Sequence, residues 1–179
     1  MQIITVSGAA RHGKDSTANI LKKKLESFHK KVLIIHMADY LKFICEKYYG
    51  WDGQKNEAGR KILQITGTEK VRSKFPDFWV DIVIKFLEAF GKDFDYILIP
   101  DTRFPNEINK LKDFGFITLS LNVIRLNFEN DLTPEQRLHP SERALDEFNF
   151  DYTIESESGL NNLSIEVDKL YKKYKKIYW

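Results

Sequence analysis

Ile3-Ile4-Thr5-Val6, followed by Gly8-Ala9-Ala10-Arg11-His12-Gly13-Lys14-Asp15-Ser16-Thr17, decides how the rest of the chain is read. The first four residues are apolar or β-branched and predict a buried strand. The next ten hold the G-x-x-x-x-G-K spacing. After them Ala18, Leu21, Leu25 and Phe28 recur at helical spacing with Lys and Glu on the other face, which predicts an amphipathic helix. A glycine-rich turn between a strand and a helix can aim its backbone N–H groups at phosphate. The helix N-terminus adds partial positive charge, and a lysine at this position reaches the terminal phosphates. The stretch therefore reads as a cradle for the triphosphate of ATP or GTP.

One position departs from the general pattern. Where Ser or Thr usually follows the lysine, this chain has Asp15, and the hydroxyls are displaced to Ser16 and Thr17. Either Asp15 approaches a magnesium ion directly or through water, or Ser16 supplies the hydroxyl, or Asp15 serves as an ordinary helix N-cap. Gly8, Arg11, His12, Gly13, Lys14, Asp15, Ser16 and Thr17 form the ATP-binding set. Arg11 can touch a phosphate, while His12 can also face solvent or bond the backbone.

Working outward, apolar runs at Val32 to Met37, Tyr96 to Ile99, Ile117 to Val123 and Tyr152 to Ile154 predict four more strands. Trp79, Val83, Phe86 and Phe90 repeat at helical spacing, as do Leu163, Val167, Leu170 and Tyr174. Strands alternating with helices predict an α/β fold with a parallel sheet covered on both faces, its ligands at the carboxyl ends of the strands. The 179 residues fit one domain spanning 1–179. With 42% hydrophobic and 30% charged residues, 9 Gly and 5 Pro, a disordered or collagenous chain is excluded. A net charge of +2 gives no argument for nucleic acid as a partner. The single cysteine, Cys45, excludes an intrachain disulfide and a multi-cysteine metal site. No apolar stretch approaches the ~20 residues of a membrane helix, and the N-terminus lacks a secretory pattern, so a cytoplasmic location is expected.

Two stretches interrupt the alternation, a helical excursion over 39–92 and a polar segment over 126–147 with Pro134 and Pro140. The run Lys172 to Lys176 reads as a solvated helix face. Tyr96-Ile97-Leu98-Ile99-Pro100-Asp101 is an apolar strand ending in a carboxylate that can hold magnesium through water. Beyond it, Arg103, Asn106 and Glu107 suit a phosphate and a sugar or base edge.

These motifs together resemble the deoxynucleoside monophosphate kinases of tailed bacteriophages and their bacterial relatives, in the P-loop nucleoside monophosphate kinase group. The resemblance rests on G-x-x-x-x-G-K-D-S at Gly8 to Ser16, A-D-x-L-K at Ala38 to Lys42 and L-Q-x-x-G-T-E-x-x-R at Leu63 to Arg72. It extends through D-F-W-V at Asp77 to Val80, D-x-R-F-P-N-E at Asp101 to Glu107 and H-P-S-E at His139 to Glu142. It implies a five-stranded parallel sheet flanked by helices, ATP with Mg²⁺ as donor, and a deoxynucleoside 5′-monophosphate as acceptor. Asp15, Ser16 and Asp101 would face the metal. Asp39, Lys42, Gln64, Glu69, Arg72, Arg103 and Glu107 would surround the acceptor within or beside the excursion 39–92. Residues 126–147, with Arg125, Arg137, His139 and Arg143, resemble a lid, in which Arg137 would join Lys14 and Asp101 as a catalytic residue and His139 would be structural. Tyr40, Phe75 and Trp79 are the aromatics that could crowd a 2′-hydroxyl, although the place of Trp79 in a helical apolar stripe favours core packing for it. A homodimer stays open. The rival readings are a phosphomevalonate-type kinase, whose loop also carries Asp after Lys, and an ATP-binding switch without an acceptor.

Overall fold

The strand that carries the glycine loop is the middle one of the sheet. The structure is a computed structural model that describes residues 1–175, so Lys176 of the basic run lies outside the described residues. Its strands are β1 (Gln2–Ser7), β2 (Val32–Ile34), β3 (Tyr96–Ile99), β4 (Ile117–Arg125) and β5 (Tyr152–Ser156), in the order β2-β3-β1-β4-β5. Every pairing is parallel, as the alternation of strands and helices predicts. All five carboxyl ends consequently point to one edge of the sheet.

Successive strand residues point to opposite faces, and β1 divides the core accordingly. Ile4 and Val6 pack with Ala18, Leu21 and Leu25 of α1 (Lys14–Glu26) and with Leu163, Val167 and Leu170 of α8 (Leu160–Tyr174). Ile3 faces the other way, with Ile97, Ile99, Leu111 and the Val80, Val83, Ile84 and Leu87 side of α4 (Phe78–Phe90). The loop after β1 is thus anchored between two apolar layers.

The excursion 39–92 contains α2 (Asp39–Tyr48), α3 (Glu57–Gln64), a π-helix over Ile65–Arg72, and α4. Residues 126–147 contain only two short helices, α6 (Pro134–Leu138) and α7 (Pro140–Arg143). Between β3 and β4 lies α5 (Pro105–Asp113).

Three expectations are corrected. First, β2 leaves the ladder after Ile34, because the Asp101 carboxylate at the end of β3 takes the Met37 and Ala38 N–H groups at 2.7 and 3.1 Å. Second, α4 buries Trp79, Val80, Val83, Ile84 and Leu87, while Phe86 and Phe90 are exposed and pack on each other. The helix is apolar nearly all round, so spacing alone does not fix its inward phase. Third, Phe28 is exposed and stacks on Tyr171 instead of entering the core.

Candidate active site

The loop is shaped by conformations that few residues adopt. Gly8 has φ +142°, and a Cβ there would lie 2.4 Å from the Val123 carbonyl oxygen, so any side chain would push β1 and β4 apart. Gly13, at φ +95°, occupies the N-cap position of α1. Asp15 therefore sits in the first turn of the helix and is not its N-cap, which removes that reading of the departure. Its carboxylate stays largely exposed.

Lys14 is buried, and its Nζ donates to the Gly8 and Ala9 carbonyls, both at 2.8 Å. Burial, together with the nearby Arg103 cation, pushes its pKa down to about 7. A phosphate dianion beside it would restore the full charge.

The other loop residues divide. Arg11 forms an ion pair with Asp131 at 2.8 Å. His12 Nδ1 accepts from the Arg125 N–H at 3.1 Å, and burial beside Lys14 and Arg125 lowers its pKa, so it is a neutral anchor between the loop and the end of β4. Thr17 is fully buried with its hydroxyl donating to the Gly13 carbonyl, so it braces the helix behind the loop and does not line the cavity at the strand ends. Ser16 is half-buried.

His36 was missed by sequence reasoning because it falls inside an apolar run. Its Nε2 lies 3.3 Å from Asp15 Oδ1 and its Nδ1 3.5 Å from Asp39 Oδ1. Bonds to those two carboxylates push its pKa up to about 9. Asp39 also accepts from the His36 N–H and pairs with Lys42 at 3.1 Å; these contacts outweigh burial and hold its carboxyl well below the usual range. Asp15 is likewise lowered, chiefly by His36. A protonated imidazolium thus bridges the helix after the glycine loop to the start of α2.

The turn after β3 is knitted around Glu107, which is buried. One carboxylate oxygen accepts from Arg72 Nη2 at 2.6 Å; the other accepts from the N–H groups of Arg103 at 2.7 Å and Phe104 at 3.2 Å. Burial pushes the Glu107 carboxyl up and these donors oppose it. Arg72 is fixed further by the Pro76 carbonyl at 3.1 Å and by the Phe104 ring, 3.9 Å away. Its Nε is buried without a hydrogen-bond partner.

These elements enclose a cavity of about 740 Å³ over the strand ends, reached by Lys14, Asp15, Asp101, Arg72 and Arg103. Lys42, Gln64 and Glu107 also line it. Asp39 and Glu69 do not: Asp39 turns to His36 and Lys42, and Glu69 is exposed, close enough to His139 to favour its protonated form. Trp79 is buried at the cavity wall with its indole N–H on the Gly67 carbonyl at 2.9 Å, whereas Tyr40 and Phe75 are exposed and away from it.

The largest correction concerns the lid-like stretch. Arg137 donates to the Leu132 and Asn130 carbonyls at 3.1 and 2.9 Å, Arg143 pairs with Asp146, and Arg125 lies over the Phe128 ring and bonds Ser158. None of the three lines the cavity; each finds a nearer partner. The additional cations that do reach it are Arg11, His36, Lys55 and Arg60; Lys55, from the turn before α3, and Arg60, from α3 itself, were not singled out in the sequence. His139 caps α7 through Ser141, a structural role as expected.

Of the residues expected at a magnesium ion, Asp15 and Asp101 line the cavity and Ser16 does not. Each Asp101 oxygen accepts one backbone N–H and keeps a further lone pair, and the Asp15 carboxylate is exposed and ionised. No group of three metal-ligating side chains occurs among the described residues. That donor set fits a magnesium ion that arrives with a nucleotide and takes most of its ligands from phosphate and water.

A parallel sheet with a glycine loop after its central strand and a basic cavity at the strand ends defines a P-loop kinase fold. The solved structure of the APS kinase of Mycobacterium tuberculosis in complex with AMPPNP and APS superposes with a TM-score of 0.52 at 11% identity, over 96% of this chain and 97% of that one. The deoxynucleotide monophosphate kinase family model matches residues 30–167, and the chain belongs to that family. Two relatives carry the same description. That of Escherichia phage RB69 is 25% identical over 115 residues, 63% of this chain and 44% of its own length. That of Enterobacteria phage T4 is 24% identical over 115 residues, 63% of this chain and 45% of its own. The match therefore spans less than half the length of either relative.

Proposed function

We propose that this protein transfers the γ-phosphoryl group of ATP to a deoxynucleoside 5′-monophosphate, giving the diphosphate and ADP. The observation that carries this reading is one cavity lined both by the loop lysine, Lys14, and by Arg72 and Arg103. An ATP-binding switch needs only the first of these groups. A phosphate acceptor gives Arg72 and Arg103 a further ligand at the cavity wall. Family membership supports the same acceptor class.

In this reading Lys14 neutralises charge on the transferring phosphate, and Arg72 and Arg103 hold the acceptor phosphate in line with it. Phosphoryl transfer is governed by alignment and charge stabilisation, so no side chain has to act as a base toward an already ionised phosphate. Asp15 and Asp101 would hold a magnesium ion brought by the nucleotide, which would supply charge neutralisation on the donor phosphates. Residues 39–92 form the acceptor wall, and residues 126–147 cover the cavity as a lid.

The test is ADP formation by the purified protein with ATP and Mg²⁺ across all common deoxynucleoside and ribonucleoside monophosphates, with phosphomevalonate as a control. Turnover that depends on a deoxynucleoside monophosphate is expected. ADP release without an acceptor, or turnover with phosphomevalonate alone, would overturn the reading.

A further inference from the structure

We infer that Glu142, which closes the His139-Pro140-Ser141-Glu142 turn, is a positioning residue that aims Arg103 at the acceptor phosphate. The inference rests on the acceptor reading above and goes past it, because neither Glu142 nor the turn has yet been given a task.

The turn is built to present this one carboxylate. His139 Nδ1 accepts from the Ser141 N–H at 3.2 Å and lies 2.8 Å from the Ser141 hydroxyl. Pro140 occupies the first helical position, where its fixed φ suits a helix start and its missing N–H costs nothing. The Glu142 N–H donates to the His139 carbonyl at 2.8 Å. Glu142 Oε2 then stands 2.8 Å from Arg103 Nη1 as an ion pair in which Oε2 is buried and makes no hydrogen bond, and the Ser141 carbonyl lies 3.4 Å from the same nitrogen.

Both contacts fall on Nη1. Nε and Nη2 of Arg103 have no partner among the described residues, so one edge of the guanidinium is held and the other is left to grip an anion, the arrangement that favours two-point recognition of phosphate. The main chain of Arg103 is already fixed by Glu107 through its N–H at 2.7 Å. Glu142 fixes the far end of the same side chain.

Charge balance gives the acid a second reason to be there. Arg103 and Lys14 are like charges in one cavity wall, and Arg103 is the foremost charged group depressing the Lys14 pKa, while Glu142 opposes it. With only 12% of its side chain exposed, Glu142 holds its charge in a confined space where a cationic partner is needed. Without it, Arg103 would be repelled by Lys14 and lose its aim. The pair also stands in the wall between the main cavity and a neighbouring one of about 630 Å³, both of which Arg103 and Glu142 line.

Steady-state kinetics at saturating ATP on wild type, Arg103→Ala, Glu142→Ala, Glu142→Gln and the double Arg103→Ala/Glu142→Ala variant test this. Glu142→Ala should raise the acceptor KM and lower kcat/KM roughly tenfold to a hundredfold, the range of one confined ion pair. The ATP KM should stay within about twofold of wild type. Glu142→Gln keeps an oxygen for Nη1 and should recover part of the loss, and because it changes no volume it also serves if the alanine variant fails to fold. The double variant should be no worse than Arg103→Ala, since Glu142 acts through Arg103. Additive losses, or an unchanged acceptor KM in Glu142→Ala, would overturn the inference. A lowered KM would do the same, by showing that Glu142 competes with the phosphate. If wild type phosphorylates no deoxynucleoside monophosphate, the proposed function fails on its own. The same set of variants, read by calorimetric binding of inorganic phosphate, then decides the coupling: weaker binding in both single variants without additivity supports it, and independent effects reject it.

Discussion

Residues 101–107 and residues 126–147 both border the cavity, and although Asp131 and Glu142 of the second reach Arg11 and Arg103, its arginines are secured by other means than the charged side chains of the first. In the first, Asp101 is tied to Met37 and Ala38, and Glu107 to Arg72, Arg103 and Phe104, so distant parts of the chain meet in a buried web. In the second, Arg137 bonds carbonyls five and seven residues away and Arg143 pairs three residues away, all near solvent. Buried long-range contacts fix a side chain relative to the whole fold. Local exposed ones only shape the segment that carries them. The division of labour expected between Arg103 and Arg137 changes accordingly: Arg103 stands at the cavity with a partner from the lid-like stretch, and Arg137 holds that stretch together.

The largest effect expected lies in the loop between these regions. Lys14→Ala should fold normally and lose at least about 100-fold in turnover, because its charge is needed as the bond breaks. A folded variant with near-normal ADP production would break the comparison at its root, since neither region would then have a reaction to serve.

Glu107→Ala should cost about 3 kcal/mol or more of stability in denaturant unfolding, since it leaves Arg72 as a buried unpaired cation and strips the Arg103 and Phe104 N–H groups of their acceptor. A loss below about 1 kcal/mol would show that the web around residues 101–107 is no firmer than a surface pair.

Asp151 lies just past the lid-like stretch and gives an intermediate case. Its carboxylate accepts from the Ser120 N–H at 2.7 Å and hydroxyl at 2.6 Å and pairs with Lys112. Burial works the other way, yet these contacts hold its pKa below the ordinary 3.8. A depressed carboxylate contributes stability above its unfolded pKa and loses it as pH falls toward the folded value. Asp151→Asn should therefore cost about 1 kcal/mol at pH 7, allowing for solvent screening. The gap to wild type should shrink as pH drops below about 4. A gap independent of pH between 7 and 3 would mean that the charge of Asp151 does not matter.

The smallest effect belongs to Arg137→Ala, for which kcat and acceptor KM should stay within about threefold of wild type. A kcat loss of about 30-fold at unchanged KM would restore Arg137 to the transition state and require the segment to rearrange on closure.

The sequence shows the parts of the molecule that local rules govern. The loop, its strand and its helix follow from glycine spacing and apolar period, and the parallel sheet follows from alternation. Arg72 and Arg103 were placed beside the acceptor through the resemblance, and both line the cavity. Illegible were contacts between residues far apart in the chain. Nothing local says that Arg11 meets Asp131, that Glu107 serves three donors, or that Asp101 pulls Met37 and Ala38 out of β2. The phase of α4 was hidden because its apolar residues surround the helix, and His36 because an apolar run hides a polar member. Arg137 was misplaced because a positive charge in a polar segment says nothing of what neutralises it.

The π-helix at Ile65–Arg72 has a consequence for how this part of the chain tolerates change. A wide turn, marked by the Ser73 N–H bonding Thr68 five residues back, accommodates one residue more than an α-helical path would. Removing one residue between 65 and 71 would let the segment relax to α-helical pitch with Arg72 near its present phase, whereas inserting one more would turn Arg72 by about 100° about the axis. Its guanidinium would then leave Glu107 and the Phe104 ring together. The segment thus tolerates a one-residue deletion better than an insertion, and an inserted residue there would be felt at the far wall of the cavity.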